Sequence, residues 1–504
     1  MKNRLWALIL TGITLSGLLA GCGGETNGTG NTSDDGSSGG DAENKYAYID
    51  EYVEGLAADH TFDGATFTVV GRGLTEGDGS TYNRNGAFPM VEEYTGALEN
   101  DALWDRQRSL EKIFNIDIVN EQVDPGDNDG YGAPTALLVS NTVTAGIPTY
   151  DLVEGNLMTC GRLLVEKGAL LDAKELDGID LSRDWWLNDI ESQLSMGGNL
   201  YFLTGKISTR HYGDAACLLF NKKVMENYSI GEPYELVETG EWTFDKMCEV
   251  AQVIPSSGDV YRIMVGGAGS SLPYYYGAGY SITEKDDEDF PAAPKALSNE
   301  QVNYINKLAT VIGNTSITYN YAKYGAYGVS DPRDMEEEVG MFNRNKVLFW
   351  NTNMDRVAEM RQYEAEFGIL PLPKGDASQE NYISYTSAWT VSGFFVPANV
   401  KDTVMVGYVT EGMAALSEKY LEPAYYESAL VQRGVYDMDS KAMLDIIYKG
   451  KKLEIADIYS LSDIVSVIDN NCNGSKEDLA SSYGTSAVLT NNAVKKMKKN
   501  FGVK

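Results

Sequence analysis

A strand, a helix and a second strand follow one another over residues 66–123, and this order restricts the fold more than any other feature of the chain. "TFTVVG" (66–71) is a short β-branched run leading into glycine-rich sequence, and "DALWDRQRSLEKIFN" (101–115) sets Leu103, Leu110 and Ile113 at helical spacing. "IDIVNEQV" (116–123) then returns to a strand pattern. Such a crossover joins parallel neighbours. A further helix is expected over 134–145, and "YDLVEGN" (150–156) reads as a strand that ends in polar residues. Open parallel sheets take ligands beyond the carboxyl ends of their strands, so Glu154 and Asn156 become candidate ligand contacts. Downstream, 242–254, 299–313 and 404–420 carry helical patterns, while "KVLFWN" (346–351) and "FGILPLP" (367–373) read as buried strands. The expectation is a mixed α/β chain with at least two lobes.

The amino terminus speaks for export. Lys2 and Arg4 precede an apolar run from Leu5 to Leu19, and small residues follow, which is the layout of a secretory signal. The segment Leu19-Ala20-Gly21-Cys22 resembles the bacterial lipobox, in which the cysteine is acylated and heads the mature chain. Two acyl chains on Cys22, at about 0.8 kcal/mol per buried CH₂, would hold a soluble domain at the membrane without any spanning helix. Residues 23–44 are Gly, Ser, Thr, Asn and acid with a single alanine, too polar to bury a core, and read as a leash. The expected location is the outer face of the cell membrane, with lipid as the only membrane contact.

Composition excludes several function classes. The formal charge of −32 repels phosphate backbones and anionic lipid, so nucleic acid is not an expected partner. The one basic cluster, "KKMKKN" (495–500), reads as favourable charge at the end of a terminal helix. Apart from Cys22, the cysteines Cys160, Cys217, Cys248 and Cys472 lie far apart with no C-x-x-C, and are expected to be free thiols, with one disulfide among them as the alternative. Only His60 and His211 could serve a hydrolytic triad, and no G-x-S-x-G elbow accompanies them. "DPGDNDG" (124–130) has the composition of a calcium loop without its alternating spacing or later glutamate. "GRGLTEG" (71–77) misses the G-x-G-x-x-G pattern. No metal, cofactor or catalytic residue is therefore expected. A two-carboxylate glycosidase stays open as an alternative, because such an enzyme needs only one pair out of the chain's 73 acids.

Several blocks, in order, resemble the extracellular solute-binding proteins of family 1, the lipid-anchored receptors of bacterial ABC importers. They are "LWDRQRSLEKIFNIDI", "YDLVEGN", "DWWLNDIESQLSMGGNLYFLTGKIS", "LLFNKKVMEN" with "GEWTFDKM", "FGILPLPKGDASQENYIS" and "YDMDSKAMLDII", spread from about residue 64 to 450. One departure is Lys206, where relatives often carry aspartate after "TG". The resemblance implies a two-lobed periplasmic-binding-protein-like fold of the class II type, with the ligand cleft between lobes joined by a multi-strand hinge. It also implies a monomeric receptor that captures an extracellular solute, delivers it to ABC permease subunits and is not an enzyme. The implied division is a signal peptide at 1–21, the lipidated cysteine and disordered linker at 22–61 and the first part of lobe 1 at 62–205. Lobe 2 follows at 206–373, the return through the hinge at 374–420, and C-terminal helices packing across both lobes at 421–504.

The residue content agrees with a carbohydrate. The chain has 32 tyrosines and 7 tryptophans, and aromatic faces pack against the C–H faces of pyranose rings while amides and carboxylates take the hydroxyls. Trp185 and Trp186 are adjacent, so one is expected to pack inside and the other to approach the cleft, with both packed as the alternative. Trp389, in "TSAWTVSG", falls close to the hinge. Asn351 and Asn353 sit just past a buried strand, where they could present amides to a solute or cap a turn. "LPYYYGAGY" (272–280) reads as an aromatic wall or as a surface loop packed on itself. A polysaccharide-binding surface protein is a third reading on the same residues.

Overall fold

The computed structural model describes residues 45–502, except 74–90, 92, 125–131, 267–270, 293, 321–331, 361–362, 431–437, 462 and 476–477. Cys22, the leash and most of 71–77 and 124–130 lie outside the described residues. The described strands are β1 (Ala65–Arg72), β2 (Ile116–Val123), β3 (Leu152–Asn156), β4 (Ala216–Asn221), β5 (Tyr261–Val265) and β6 (Thr318–Asn320). After them come β7 (Val347–Asn353), β8 (Phe367–Leu370), β9 (Ser384–Tyr385), β10 (Ser392–Phe395) and β11 (Lys451–Lys452).

Two main sheets organise the chain. The first has the order β10-β3-β1-β2, with β3, β1 and β2 parallel and β10 antiparallel to β3. Its apolar strands bury Phe67, Val69, Val70, Leu152 and Val153 because helices cover it. Around it lie α1 (Ala47–Ala57), α2 (Leu98–Phe114) and α3 (Ala133–Ala145). The second sheet has the order β6-β5-β7-β4-β8, and every residue of β4 and β8 in it is buried. With it come α4 (Phe244–Ala251), α5 (Leu272–Gly277), α6 (Asn299–Ile312) and α7 (Met354–Glu359). The "YYY" of the aromatic segment forms α5 rather than a loop, and Tyr274, Tyr275 and Tyr276 are all buried.

The three longest described helices after residue 400 are α8 (Thr403–Leu430), α9 (Met438–Lys449) and α10 (Leu479–Asn500). At about 1.5 Å per residue α8 is about 42 Å long. It touches α1 and α2 on one side and α7 and α9 on the other, so a single helix serves both sheets. In the last turn of α10, Lys498 pairs with Asp286 and Glu288 at 2.5 and 2.6 Å, and the basic tail is thereby partly neutralised.

The stretch 22–61, read from sequence as disordered linker, contains a helix at its end. Ile49, Val53 and Ala57 recur every four residues in α1, and this stripe is buried, with α8 as a neighbour. Polar and acidic residues between those three dilute the apolar signal. All four described cysteines are free thiols. No described helix is long and apolar enough to cross a membrane.

Candidate ligand cleft

Two antiparallel segments cross between the sheets. The first leaves β-type pairing with Phe394 at Leu203 and regains it with Thr386 at Ala215, just before β4. The second runs from β9 through Ser387–Val391 into β10. Because the eleven residues 204–214 of the first face the seven residues 387–393 of the second, the surplus is taken up by the one-turn helix Arg210–Gly213. The carboxyl end of β3 meets this junction, since Asn156 pairs with Ser392. So does the end of β7 in the other sheet, where Asn353 pairs with Ala216. Strand ends of both sheets therefore converge on 206–214 and 387–392, the position where an open α/β sheet holds its ligand.

The junction is rich in paired charge. Lys206 bonds Glu418 at 3.1 Å and Glu422 at 2.6 Å, both on α8. This gives the lysine at the departure from the family pattern a role in the hinge. Arg106 of α2 is buried and donates to Ile207 O at 2.9 Å and Ser417 Oγ at 2.8 Å; burial lowers its pKa to about 10. Arg210 pairs with Asp355 at 2.7 Å and donates a longer bond of 3.4 Å to Thr390 O. Burial opposes its charge, but the Asp355 and Asp214 carboxylates outweigh that and raise its pKa. Lys451 Nζ donates to His211 O at 2.7 Å and pairs with Asp214 at 2.6 Å. The His211 ring lies 5.8 Å from Tyr448, stacked, and 5.1 Å from Tyr212, edge-on. Burial, then the charges of Lys451 and Lys206, push its pKa well down. Among the described residues no cluster of three or more His, Cys, Asp or Glu is arranged to hold a metal.

The seven ligand candidates fall in distinct places. Trp389 is 51 % exposed on the crossing turn. Trp185 and Trp186 are both buried, and the indole N–H groups donate at 3.0 Å to different oxygens of one carboxylate, that of Glu411. The arrangement in which one tryptophan packs and the other faces the cleft is not the one found. Adjacent indoles can both turn inward because the chain kinks there: Trp186 bridges Gly205, and Lys206 N donates to Trp185 O at 2.7 Å. Gly205, at φ +142°, permits that approach, since a Cβ would stand 2.4 Å from Trp185 O.

Asn156 is fully buried. Its Oδ1 accepts from Thr159 N at 2.9 Å, and its Nδ2 donates to Ala388 O and Val391 O at 3.0 Å each. Glu154 is buried beside Gly71 on β1, where a Cβ would come 3.1 Å from Oε2. Asn351 is buried within β7, opposite Leu218. Asn353 caps α7, its Oδ1 accepting from Arg356 N at 3.3 Å, which is the turn-capping alternative. The structure thus brings Asn156 and the Trp389 turn together at the crossing, and buries the tryptophan pair against Glu411 beside the start of the first crossing segment. Arg210, Asp214, Asp355, Lys451 and Glu411 went unnoticed in the sequence, where each is one charge among many. The local signal is slight: Lys206 and Arg210 followed by the single acid Asp214 within "GKISTRHYGD" (205–214).

No protein-family model and no curated protein matches the sequence. Solved structures do. The sugar-binding protein MalE of Xanthomonas citri aligns over 87 % of this chain and all of its own, with a TM-score of 0.57 at 12 % identity. A cyclo/maltodextrin-binding protein complexed with maltotetraose covers 87 % of this chain and 97 % of its own, with a TM-score of 0.52 at 16 % identity. The cyclic alpha-maltosyl-1,6-maltose binding protein of Arthrobacter globiformis covers 86 % and 100 %, with a TM-score of 0.52 at 10 % identity. What these likenesses establish is the fold: a two-lobed, periplasmic-binding-protein-like α/β architecture with the cleft between its lobes.

Proposed function

We propose that this protein is the solute receptor of a bacterial ABC importer and captures a carbohydrate, an oligosaccharide by preference, between its two lobes. The observation that carries the reading is Trp389, a large aromatic side chain left half exposed on a crossing turn where the strand ends of both sheets meet. A flat apolar face in such a place matches the C–H face of a sugar ring. The sugar-binding proteins of the same fold support the class of ligand.

On this reading the protein is a monomer held at the outer membrane face by lipid on Cys22, and it hands its solute to permease subunits when the lobes close. A thermal-shift screen of neutral oligosaccharides, beginning with maltotetraose, tests the proposal. At a hundred times Kd a bound sugar adds about 2.7 kcal/mol of stability, a displacement of several degrees. Turnover of the sugar would favour the glycosidase reading. Retention on insoluble polysaccharide, without a response to free oligosaccharide, would favour a surface polymer binder.

A further inference from the structure

Trp389 stands at 51 % exposure in the middle of a turn whose other members are fixed on every side. Ser387 O accepts from Thr390 N and Val391 N at 3.0 Å each, and Ser387 Oγ accepts from Trp389 N at 3.3 Å. Ala388 and Val391, flanking the exposed Trp389 and the half-buried Thr390, are buried. The carbonyls of those two residues are gripped by one group, the Asn156 side-chain amide, whose two N–H donors reach them at 3.0 Å each. Val391 O takes a further bond from Leu157 N at 3.1 Å, and Thr390 O takes the 3.4 Å bond from Arg210.

Asn156 itself has no freedom. It is the last residue of β3, and its Oδ1 caps the π-type turn Leu157–Gly161, a rare element often found at functional positions. All three hydrogen-bonding valences of the amide that the turn can use are occupied, which fixes the orientation of the group as well as its place.

We propose that Asn156 is a positioning residue of the cleft, holding the 387–391 turn so that the Trp389 ring is presented to the solute in a preset orientation. The inference rests on the receptor reading above and deepens it. A platform that is already ordered in the empty protein spares the ordering cost on binding. It also explains why a fully buried asparagine lies at the strand end where a ligand contact was expected: Asn156 acts on the ligand through Trp389.

The test has a ligand-free arm and a binding arm, both on the full chain. In protein labelled with fluorotryptophan, the Trp389 resonance is identified by its loss in Trp389→Phe. Asn156→Asp keeps the oxygen that caps Thr159 N but sets a carboxylate against two carbonyls, so the Trp389 line should broaden or split while the Trp185 and Trp186 lines stay where they are. Asn156→Ala should do the same if it folds. A Trp389 line that does not change, or a shift of all the lines together, overturns the positioning role.

In the binding arm, maltotetraose is titrated into the wild type, Asn156→Asp, Trp389→Ala and the double variant. Expected losses are about tenfold to a hundredfold for Trp389→Ala and about tenfold for Asn156→Asp. In the Trp389→Ala background Asn156→Asp should cost less than about twofold, because the effect travels through the missing ring. Additive losses overturn the proposal, as does Trp389→Ala with wild-type affinity. A wild type that ignores maltotetraose and the rest of the oligosaccharide screen overturns the receptor reading instead, and the fluorine lines then decide the role of Asn156 by themselves.

Discussion

Lys451 and Asp214 form a 2.6 Å ion pair with side chains only 4 % and 1 % exposed, at the point where the first crossing segment enters the second sheet. Burial presses on both members, lowering the lysine pKa and raising that of the aspartate, while their mutual attraction works against both shifts. Removing one partner strands the other. Asp214→Ala should therefore cost about 3–5 kcal/mol in denaturant unfolding, and Asp214→Ala combined with Lys451→Met should recover a large part of that loss. Losses of Asp214→Ala and Lys451→Met that simply add in the double variant would show that the pair contributes no coupling.

The tryptophan pair should behave as structure. Trp185→Ala and Trp186→Ala are each expected to lower stability by about 3–5 kcal/mol with sugar affinity unchanged in the folded fraction. The phenylalanine variants keep most of the volume but leave a Glu411 oxygen short of a donor, a loss of about 1–3 kcal/mol. Calorimetric affinity measured beside thermal unfolding checks both statements.

Glu411 gives a pH dependence with a definite sign. Its carboxylate accepts from Trp185, Trp186, Tyr52 OH at 3.0 Å and Asp180 N at 3.2 Å, with Arg183 over the Tyr52 ring at 4.5 Å. Burial outweighs these donors and pushes its pKa up to about 7. The unfolded chain titrates it near 4.3, so the folded state holds the proton more tightly. Its contribution is complete below the unfolded value and is lost as pH rises through about 7. Unfolding free energies at several pH values should fall over that window in the wild type and lose this component in Glu411→Gln.

Lobe closure should be visible in solution. Scattering with and without a saturating sugar is expected to give a smaller radius of gyration in the bound state, because only the closed form makes contacts from both lobes. An unchanged radius at saturation would count against capture by closure.

Anchoring is tested separately. Cys22→Ser should release the protein into the medium with its signal uncut by the lipoprotein peptidase. Retention at the membrane in that variant would remove lipidation at Cys22 from the account.

The sequence disclosed the elements well where apolar spacing was strong. The strand over 116–123 has the expected limits, and the helices at 134–145 and 299–313 lie within a residue or two of α3 and α6. What it concealed were inward-facing polar groups. Periodicity places Asn156 at a strand end but cannot say that its amide turns back to Ala388 and Val391, 232 and 235 residues away. Nor can it say that two adjacent indoles share Glu411, more than 220 residues on. Long-range hydrogen bonds leave no local pattern. Trp389 is read near the hinge because it follows "QENYIS" and precedes a strand, and it does lie on the turn just ahead of β10.

Helix α1 is the first described element, and it is fastened to α8 along its length: Asp50 by Lys419 at 2.6 Å, Tyr48 to Glu418, and Tyr52 to Glu411 at 3.0 Å. A pull applied at the amino end of α1 therefore loads these bonds in shear, several at once, rather than peeling them one by one. The same α8 carries Glu418 and Glu422, the partners of Lys206 at the start of the crossing segment. Load at the amino end of α1 and bending at the crossing segments therefore share one mechanical element.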